Sequence, residues 1–352
     1  MMRARRTIVV AIVAAIATFT VGAVAIPRPP ALSTVTSGDS ELVAEVRQLL
    51  EESPSVRDRV SVAVIDGGTV REAHFGATGG TEYEIGSVTK TMTGSLLAEA
   101  IDRGEVAADT TLGELLDLGT TPAASITLTE LATHHSGLPR LAASPGQILS
   151  AIISKLRASD PYGASVAELL ASARDAQLNE KEFLYSNFGF ALLGQALASA
   201  ADADYPSLLS ERVFEPLGMT GSFAPTSPDD LAPDAPTGYT ASGRTSDPWT
   251  LGADAPAGSV RSTLTDMVRY ATAQLHQTAP GVKATFPHSQ AGKGRTIGYA
   301  WITTDNVTWH NGATGGFTSW IGFDRESERA VVILNNTAAP VDDLGFMLLG
   351  TS

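Results

Sequence analysis

Strand-like segments occur toward the two ends of this chain and helix-like segments fill the stretch between them, and that distribution restricts the fold more than any other feature. Near the N-terminal end Val60, Val62 and Val64 precede Asp66-Gly67-Gly68, with Val70 and Phe75 beyond. Alternating apolar residues on both sides of a tight turn predict a β-hairpin. The strand pattern returns at Tyr299. Tyr299 to Thr303 and Val307 to His310 flank Asp305-Asn306, and Ser319 to Phe323 and Ala330 to Asn335 flank a charged turn at Asp324 to Glu328. Between these ends, Leu112 to Leu118, Thr129 to His134, Val166 to Ala176, Phe190 to Ala200 and Tyr205 to Phe214 lack strand alternation. The expected fold is therefore α/β in the α+β sense: one mostly antiparallel sheet built from both chain ends, flanked by helices, with an inserted helical region at about 105–222. A cleft between the sheet layer and the helical part is a natural ligand site.

The N-terminus reads Met1-Met2-Arg3-Ala4-Arg5-Arg6 and then runs uncharged and mostly apolar from Thr7 to Ile26. A basic segment followed by an apolar one predicts export, with 1–25 a signal peptide cleaved after Ala25 or, uncleaved, a membrane anchor. Residues 26–41, rich in Pro, Ser and Thr, read as a linker, and 42–352 as the folded domain. The net charge of −14 argues against a nucleic-acid partner. With no cysteine in the chain, thiol chemistry, disulfides and thiolate zinc sites are excluded. The chemistry left is that of oxygen and nitrogen.

Within Ile85-Gly86-Ser87-Val88-Thr89-Lys90 a hydroxyl and an amine stand three residues apart at the start of an expected helix whose apolar positions include Met92, Leu96, Leu97, Ala100 and Ile101, with Gly104 as its stop. The two side chains share a face there, so a desolvated Lys90 can accept the proton of Ser87. The bland alternative is a helix cap at Ser87 and a solvated Lys90. In Tyr185-Ser186-Asn187 a phenol and an amide fall on one side of a loop. The first can relay a proton and the second can orient the amine and a substrate carbonyl, or both can be structural. Trp309-His310-Asn311-Gly312-Ala313-Thr314-Gly315-Gly316-Phe317 ends a strand and is dense in glycine. A strand edge of this kind beside Ser87 can pair with an extended substrate and offer the Ala313 N–H, together with that of Ser87, to an oxyanion.

These three motifs, in this order, resemble the serine β-lactamase and penicillin-binding-protein superfamily, closest to the class C β-lactamase-like branch that also holds D-Ala-D-Ala carboxypeptidases, D-aminopeptidases and esterases. The resemblance covers about Leu42 to Leu349. It extends to Ile126 through Pro139, where Ser136 matches a loop and not a nucleophile, to Phe214-Glu215-Pro216-Leu217-Gly218-Met219, and to Ala257-Gly258-Ser259-Val260-Arg261-Ser262-Thr263. What it implies is a β-lactamase/transpeptidase-like fold with Ser87 as the acylated nucleophile, Lys90 as proton acceptor, Tyr185 as shared acid and base, and Asn187 as a positioning amide. His310 and Gly312 stand where penicillin-recognising relatives carry Lys-Thr-Gly. A histidine with an ordinary pKa of about 6.5 is mostly neutral at pH 7, which weakens the case for efficient β-lactam hydrolysis.

The expected activity is that of an exported serine hydrolase acting through an acyl-enzyme on an amide or ester: a D-amino-acid peptide, a cell-wall peptide, a β-lactam or a small ester. It needs no cofactor and no metal. The competing reading is a catalytically weak relative that binds peptide or cell-wall fragments in the same cleft.

Overall fold

A computed structural model describes residues 29–142, 154 and 157–350 of the protein. The segment read as an export signal, 1–25, lies outside the described residues.

The strands are β1 (Thr36–Gly38), β2 (Val60–Asp66), β3 (Thr69–Phe75), β4 (Glu82–Glu84), β5 (Gly238–Tyr239), β6 (Thr245–Ser246), β7 (Arg261–Thr263), β8 (Ser289–Gln290), β9 (Thr296–Ile297), β10 (Ile302–Thr304), β11 (Val307–Ala313), β12 (Thr318–Asp324) and β13 (Arg329–Asn335). The helices of eight or more residues among the described residues are α1 (Ser40–Glu52), α2 (Thr89–Asp102), α3 (Val166–Arg174), α4 (Asn187–Ala200), α5 (Leu264–Leu275) and α6 (Asp342–Leu349).

One sheet takes strands from both ends in the order β1-β3-β2-β13-β12-β11-β10-β9-β8, each pair antiparallel. Its seam is β2 against β13, running from Val60↔Asn335 to Asp66↔Arg329. The β2–β3 hairpin closes on Gly67 (φ 52°) and Gly68 (φ 83°), two positive values that suit a turn whose twist matches the strands.

Both faces of the sheet are covered, which is why β2 is buried from Val60 to Ile65 despite its alternating pattern. On one face Leu42, Val46 and Leu50 of α1 and Leu344 and Leu348 of α6 meet Val60, Val62, Val64, Val331 and Ile333. On the other, Ala63, Ile65, Val332 and Leu334 join the larger core with Met92 and Leu96 of α2 and Met267, Tyr270 and Ala271 of α5. At about 25 cal/mol per Å² of apolar area, these two cores are the main source of stability. The region between the strand-bearing ends holds α3, α4 and the short helices Leu112–Leu115, Leu128–Ala132 and Tyr205–Leu209.

Two segments differ from expectation. Within the stretch read as a linker, Thr36–Gly38 pairs with β3 as the sheet's edge strand, and α1 begins at Ser40 with Asp39 as its cap. Composition pointed to a linker because an edge strand of three residues carries too short a pattern to read. Tyr299 to Trp301, expected as strand, turns at Ala300 (φ 71°), whose N–H donates to the Ala132 carbonyl at 2.9 Å. The Tyr299 carbonyl is seated against Gly94 of α2, where a Cβ would come within 2.3 Å.

Candidate active site

The turn that carries Ser87 is held from three sides. The Ile85 N–H donates to the Val260 carbonyl at 3.0 Å, and the Ile85 carbonyl accepts from Ser319 Oγ at 2.7 Å. On the third side lies β11. A Cβ on Gly312 would stand 1.9 Å from the Ile85 carbonyl oxygen, and one on Gly86, itself at φ 51°, would stand 2.7 Å from the Ala313 nitrogen. Two glycines therefore let backbone meet backbone where the C-terminal strand passes the turn. From there Gly86–Val88 forms a 3-10 turn that runs into α2.

Lys90, fully buried on the first turn of α2, has its Nζ 3.1 Å from Ser87 Oγ. It donates to the Ala257 carbonyl at 2.5 Å. The segment that supplies this carbonyl is laced along α2: Thr93 Oγ1 donates to the Pro256 carbonyl at 2.9 Å, and Thr89 Oγ1 accepts from the Val260 N–H at 3.1 Å. Burial holds the amine well below its ordinary pKa of 10.5. The Arg140 charge acts in the same direction, and Asp254 opposes it. A neutral amine with one N–H on a carbonyl can turn its lone pair to the hydroxyl.

Tyr185 precedes α4 on a loop fixed by Ser186, whose hydroxyl caps the helix through the Gly189 N–H at 2.9 Å and donates to the Pro139 carbonyl at 2.7 Å. Its ring lies 4.4 Å from that of His134, with Lys90 Nζ 5.1 Å and Arg140 Cζ 5.2 Å from the ring centre. Burial pushes the phenol up to about 12, with Ser87 acting in the opposite direction, so it is a neutral proton carrier at pH 7 and not a phenolate.

Asn187 is not brought onto Lys90. Its Nδ2 donates to the Tyr162 hydroxyl at 2.8 Å, and its Oδ1 is buried without a partner among the described residues. Tyr162 in turn meets Trp249 edge to face at 5.5 Å, forming one wall of the cleft.

His310 is buried beneath the site and not exposed along it. Its Nδ1 lies 2.6 Å from the Asn311 carbonyl and so carries the proton, while Nε2 has no partner among the described residues. Burial, reinforced by the Lys90 charge, lowers its pKa to about 3. It is thus a neutral ring packed 6.3 Å from Tyr185, as its ordinary pKa led one to expect.

Beyond its last partner in β10, Trp309↔Ile302, the edge of β11 has no strand beside it among the described residues. Thr314 N donates to the Phe317 carbonyl, so the hydrogen-bonded pairs of the β11–β12 ladder alternate such that Ala313 turns its own N–H and C=O away from β12. Ala313 is exposed there, beside Gly86 and Ser87.

Several contributors escaped sequence reasoning. The Ala257 carbonyl is main chain and leaves no side-chain signal. His134 sits inside a motif that was read only as a loop. At φ 61° and fully buried, it accepts from the Ser186 N–H at 3.1 Å and supports the face of Tyr185. Arg140 and Tyr162 come from loops, and Asp254 from the 3-10 turn Gly252–Ala257, which has too few residues for a periodic signal. Asp254 is raised to about 7 by burial and by the Asp160 charge, with Lys90 opposing. Among the described residues no group of three or more His, Cys, Asp or Glu is placed to hold a metal ion.

Known proteins share both pattern and shape with this chain. The sequence pattern of the family described as Beta-lactamase matches residues 46–347. The D-alanyl-D-alanine-carboxypeptidase/endopeptidase AmpH of Escherichia coli K12 is 33% identical over 149 residues, which is 41% of this chain and 37% of that protein. Beta-lactamase-like protein 2 of Dictyostelium discoideum is 30% identical over 149 residues, 39% of this chain and 25% of that protein. These matches thus span well under half the length of either relative. Among solved structures, a class C beta lactamase from Rhodobacter sphaeroides superposes with a TM-score of 0.74 at 21% identity, over 88% of this chain and 98% of the other. The octameric penicillin-binding protein homologue from Pyrococcus abyssi gives 0.75 at 24% identity, over 88% and 78%. At these identities the likeness is one of fold.

Proposed function

Because the chain belongs to the beta-lactamase family, with its large antiparallel sheet flanked by helices, we propose that it is a serine hydrolase working through an acyl-enzyme on Ser87. The observation that carries this reading is the buried Lys90 amine, 3.1 Å from Ser87 Oγ and anchored to the Ala257 carbonyl. A solvated lysine beside a helix cap would have neither burial nor such an anchor.

In this mechanism the Ser87 proton passes to Lys90 as Oγ attacks the substrate carbonyl, and the N–H groups of Ser87 and Ala313 receive the oxyanion. Tyr185 gives its proton to the leaving group and is reprotonated through Lys90. Water then attacks the acyl-enzyme, with the same groups returning the protons in reverse. His134 and His310, both neutral, are positioning residues around Tyr185 and Lys90. Asn187 acts on the cleft wall through Tyr162.

The substrates are amides or esters, with D-amino-acid or cell-wall peptides and small esters ahead of β-lactams, because His310 supplies no cation on the strand. The name of the Escherichia coli relative agrees with peptide substrates. Export is read from the N-terminal basic and apolar segments. No helix among the described residues is long and apolar enough to cross a membrane.

Incubation of the purified protein with a fluorophosphonate, followed by intact mass and peptide mapping, tests the nucleophile. A single adduct on Ser87, absent from Ser87→Ala, is expected. No adduct, or one on another serine, would overturn the assignment and favour the binding-module reading. A lasting adduct from penicillin in a parallel reaction would bring β-lactam-type substrates forward.

A further inference from the structure

We propose that Arg140 anchors a carboxylate on the departing half of the substrate, so that the protein prefers leaving groups bearing a negative charge close to the scissile bond. The inference rests on the serine hydrolase reading and specifies its substrate.

Lys90 is buried and committed to Ser87 and Ala257. His310 gives its one proton to the Asn311 carbonyl and is buried as well. The strand that lines the cleft therefore offers no positive charge to an anionic substrate. Arg140 is exposed, its guanidinium 5.2 Å over the centre of the Tyr185 ring, on the residue proposed to protonate the leaving group.

The backbone of Arg140 is fixed, and its side chain, stacked on Tyr185, meets no carboxylate among the described residues. Its carbonyl accepts from the N–H groups of Asn187, at 2.9 Å, and Phe188, at 3.3 Å, which ties it to the first turn of α4. Arg103, Arg174, Arg212, Arg261 and Arg269 each pair with a carboxylate. Arg140 forms no ion pair with any of the described residues. A planar guanidinium left free at the mouth of a site is suited to a carboxylate, which it can grip with two parallel hydrogen bonds.

Two carboxyl groups lie beyond Tyr162, the residue that Asn187 bonds. Asp160 accepts from the N–H groups of Tyr162, Thr250 and Leu251, and Asp254 lies within its field. Arg140 is thus the cation that stands against the Tyr185 ring to receive an anionic leaving group. The chemistry that fits is a C-terminal amino acid leaving as a free carboxylate, or any ester whose alcohol carries an acid.

The test compares phenyl and 3-carboxyphenyl esters of N-acetylglycine, which share an acyl group and differ only in the charge on the leaving half. The wild type is expected to favour the carboxylated ester in kcat/KM. Arg140→Gln should lower that preference about tenfold, mostly through KM, and Arg140→Lys should restore part of it. A general disturbance of Tyr185 would slow both esters alike and cancel from the ratio, so an unchanged ratio overturns the proposal. Should the wild type hydrolyse neither ester, the hydrolase reading fails on its own, and the anchor is judged by NMR titration with 3-hydroxybenzoate. Binding to the wild type that Arg140→Gln weakens supports the anchor; equal binding to both, or none to the wild type, overturns it.

Discussion

Lys90 Nζ and the carbonyl oxygen of Ala257 lie 2.5 Å apart across 167 residues of sequence. This contact gives a buried amine a fixed direction: one N–H is committed to the carbonyl, and Ser87 Oγ stands at 3.1 Å on another side. Burial lowers the pKa of the amine, and the carbonyl aims it.

Replacing Lys90 by Met keeps a flexible stem of similar volume in the core while removing the amine. Hydrolysis and the rate of fluorophosphonate labelling should both fall by about 10³-fold, with thermal unfolding still cooperative. A labelling rate within a few-fold of the wild type would show that another base takes the Ser87 proton.

Tyr185→Phe removes one oxygen and leaves the ring contacts with His134 and Arg140 in place. Turnover of an amide, whose leaving group needs a proton, should drop by about 10²-fold or more. Turnover of a phenyl ester, whose leaving group departs as an anion more readily, should drop less. Equal losses on both substrates would argue against a role in protonating the leaving group.

The contact at Gly312 makes a steric prediction. In Gly312→Ala the new methyl would meet the Ile85 carbonyl at 1.9 Å, and that atom belongs to backbone pinned by Ser319. The strand must move away from the Ser87 turn, at a cost of about 2–4 kcal/mol measured by urea unfolding, and turnover should suffer along with it. A fully stable and active variant would mean that the turn and strand are more loosely joined than the geometry indicates.

His310 ties stability to pH. Its folded pKa of about 3 lies below the ordinary 6.5, so the unfolded chain binds the proton first as pH falls. The stability it confers is complete above about pH 6.5 and is lost as pH drops toward 3, by about 1 kcal/mol per unit in that window. His134, also lowered by burial, adds in the same direction, whereas the raised carboxyl of Asp254 works against both. Unfolding midpoints between pH 4 and 7 should therefore vary less steeply in His310→Gln than in the wild type. Parallel pH curves for the two proteins would remove His310 from the balance.

Asp254 sets a second pH effect. Its negative charge holds the Lys90 pKa up against burial. Asp254→Asn should let the amine lose its proton more easily and shift the acid limb of the kcat/KM profile to lower pH, and a shift to higher pH would contradict the assigned coupling.

The parts of this molecule that sequence makes legible are those whose signal is periodic or chemical. Val60, Val62 and Val64 around the Gly67-Gly68 turn, and the paired strands near the C-terminus, declare a sheet joined from both ends. Ser87 with Lys90 and Tyr185 declare themselves by the chemistry their side chains can perform, and the structure brings all three within contact. What escapes is geometry that depends on tertiary packing. No pattern distinguishes a histidine on the lip of a cleft from one beneath it, so His310 read as a site-lining residue and lies buried. Nor does any pattern aim an amide, so Asn187 was expected on the amine and bonds Tyr162 instead. The strand expected from Tyr299 fails because Ala132 and Gly94 divert the backbone before Ile302.

The seam between β2 and β13 has a consequence for the order of events in folding. Residues Val60–Asp66 pair on one side with Arg329–Asn335, and the Ser87 turn is held at Ile85 by Val260, Gly312 and Ser319. Contacts of such sequence separation form late, since the loop between them must be closed first. While it is being synthesised, the N-terminal two-thirds of the chain consequently lacks both the strands that complete the sheet and the contacts that hold the Ser87 turn. Assembly of the sheet and fixing of the Ser87 turn are the same step, taken once the final strands arrive.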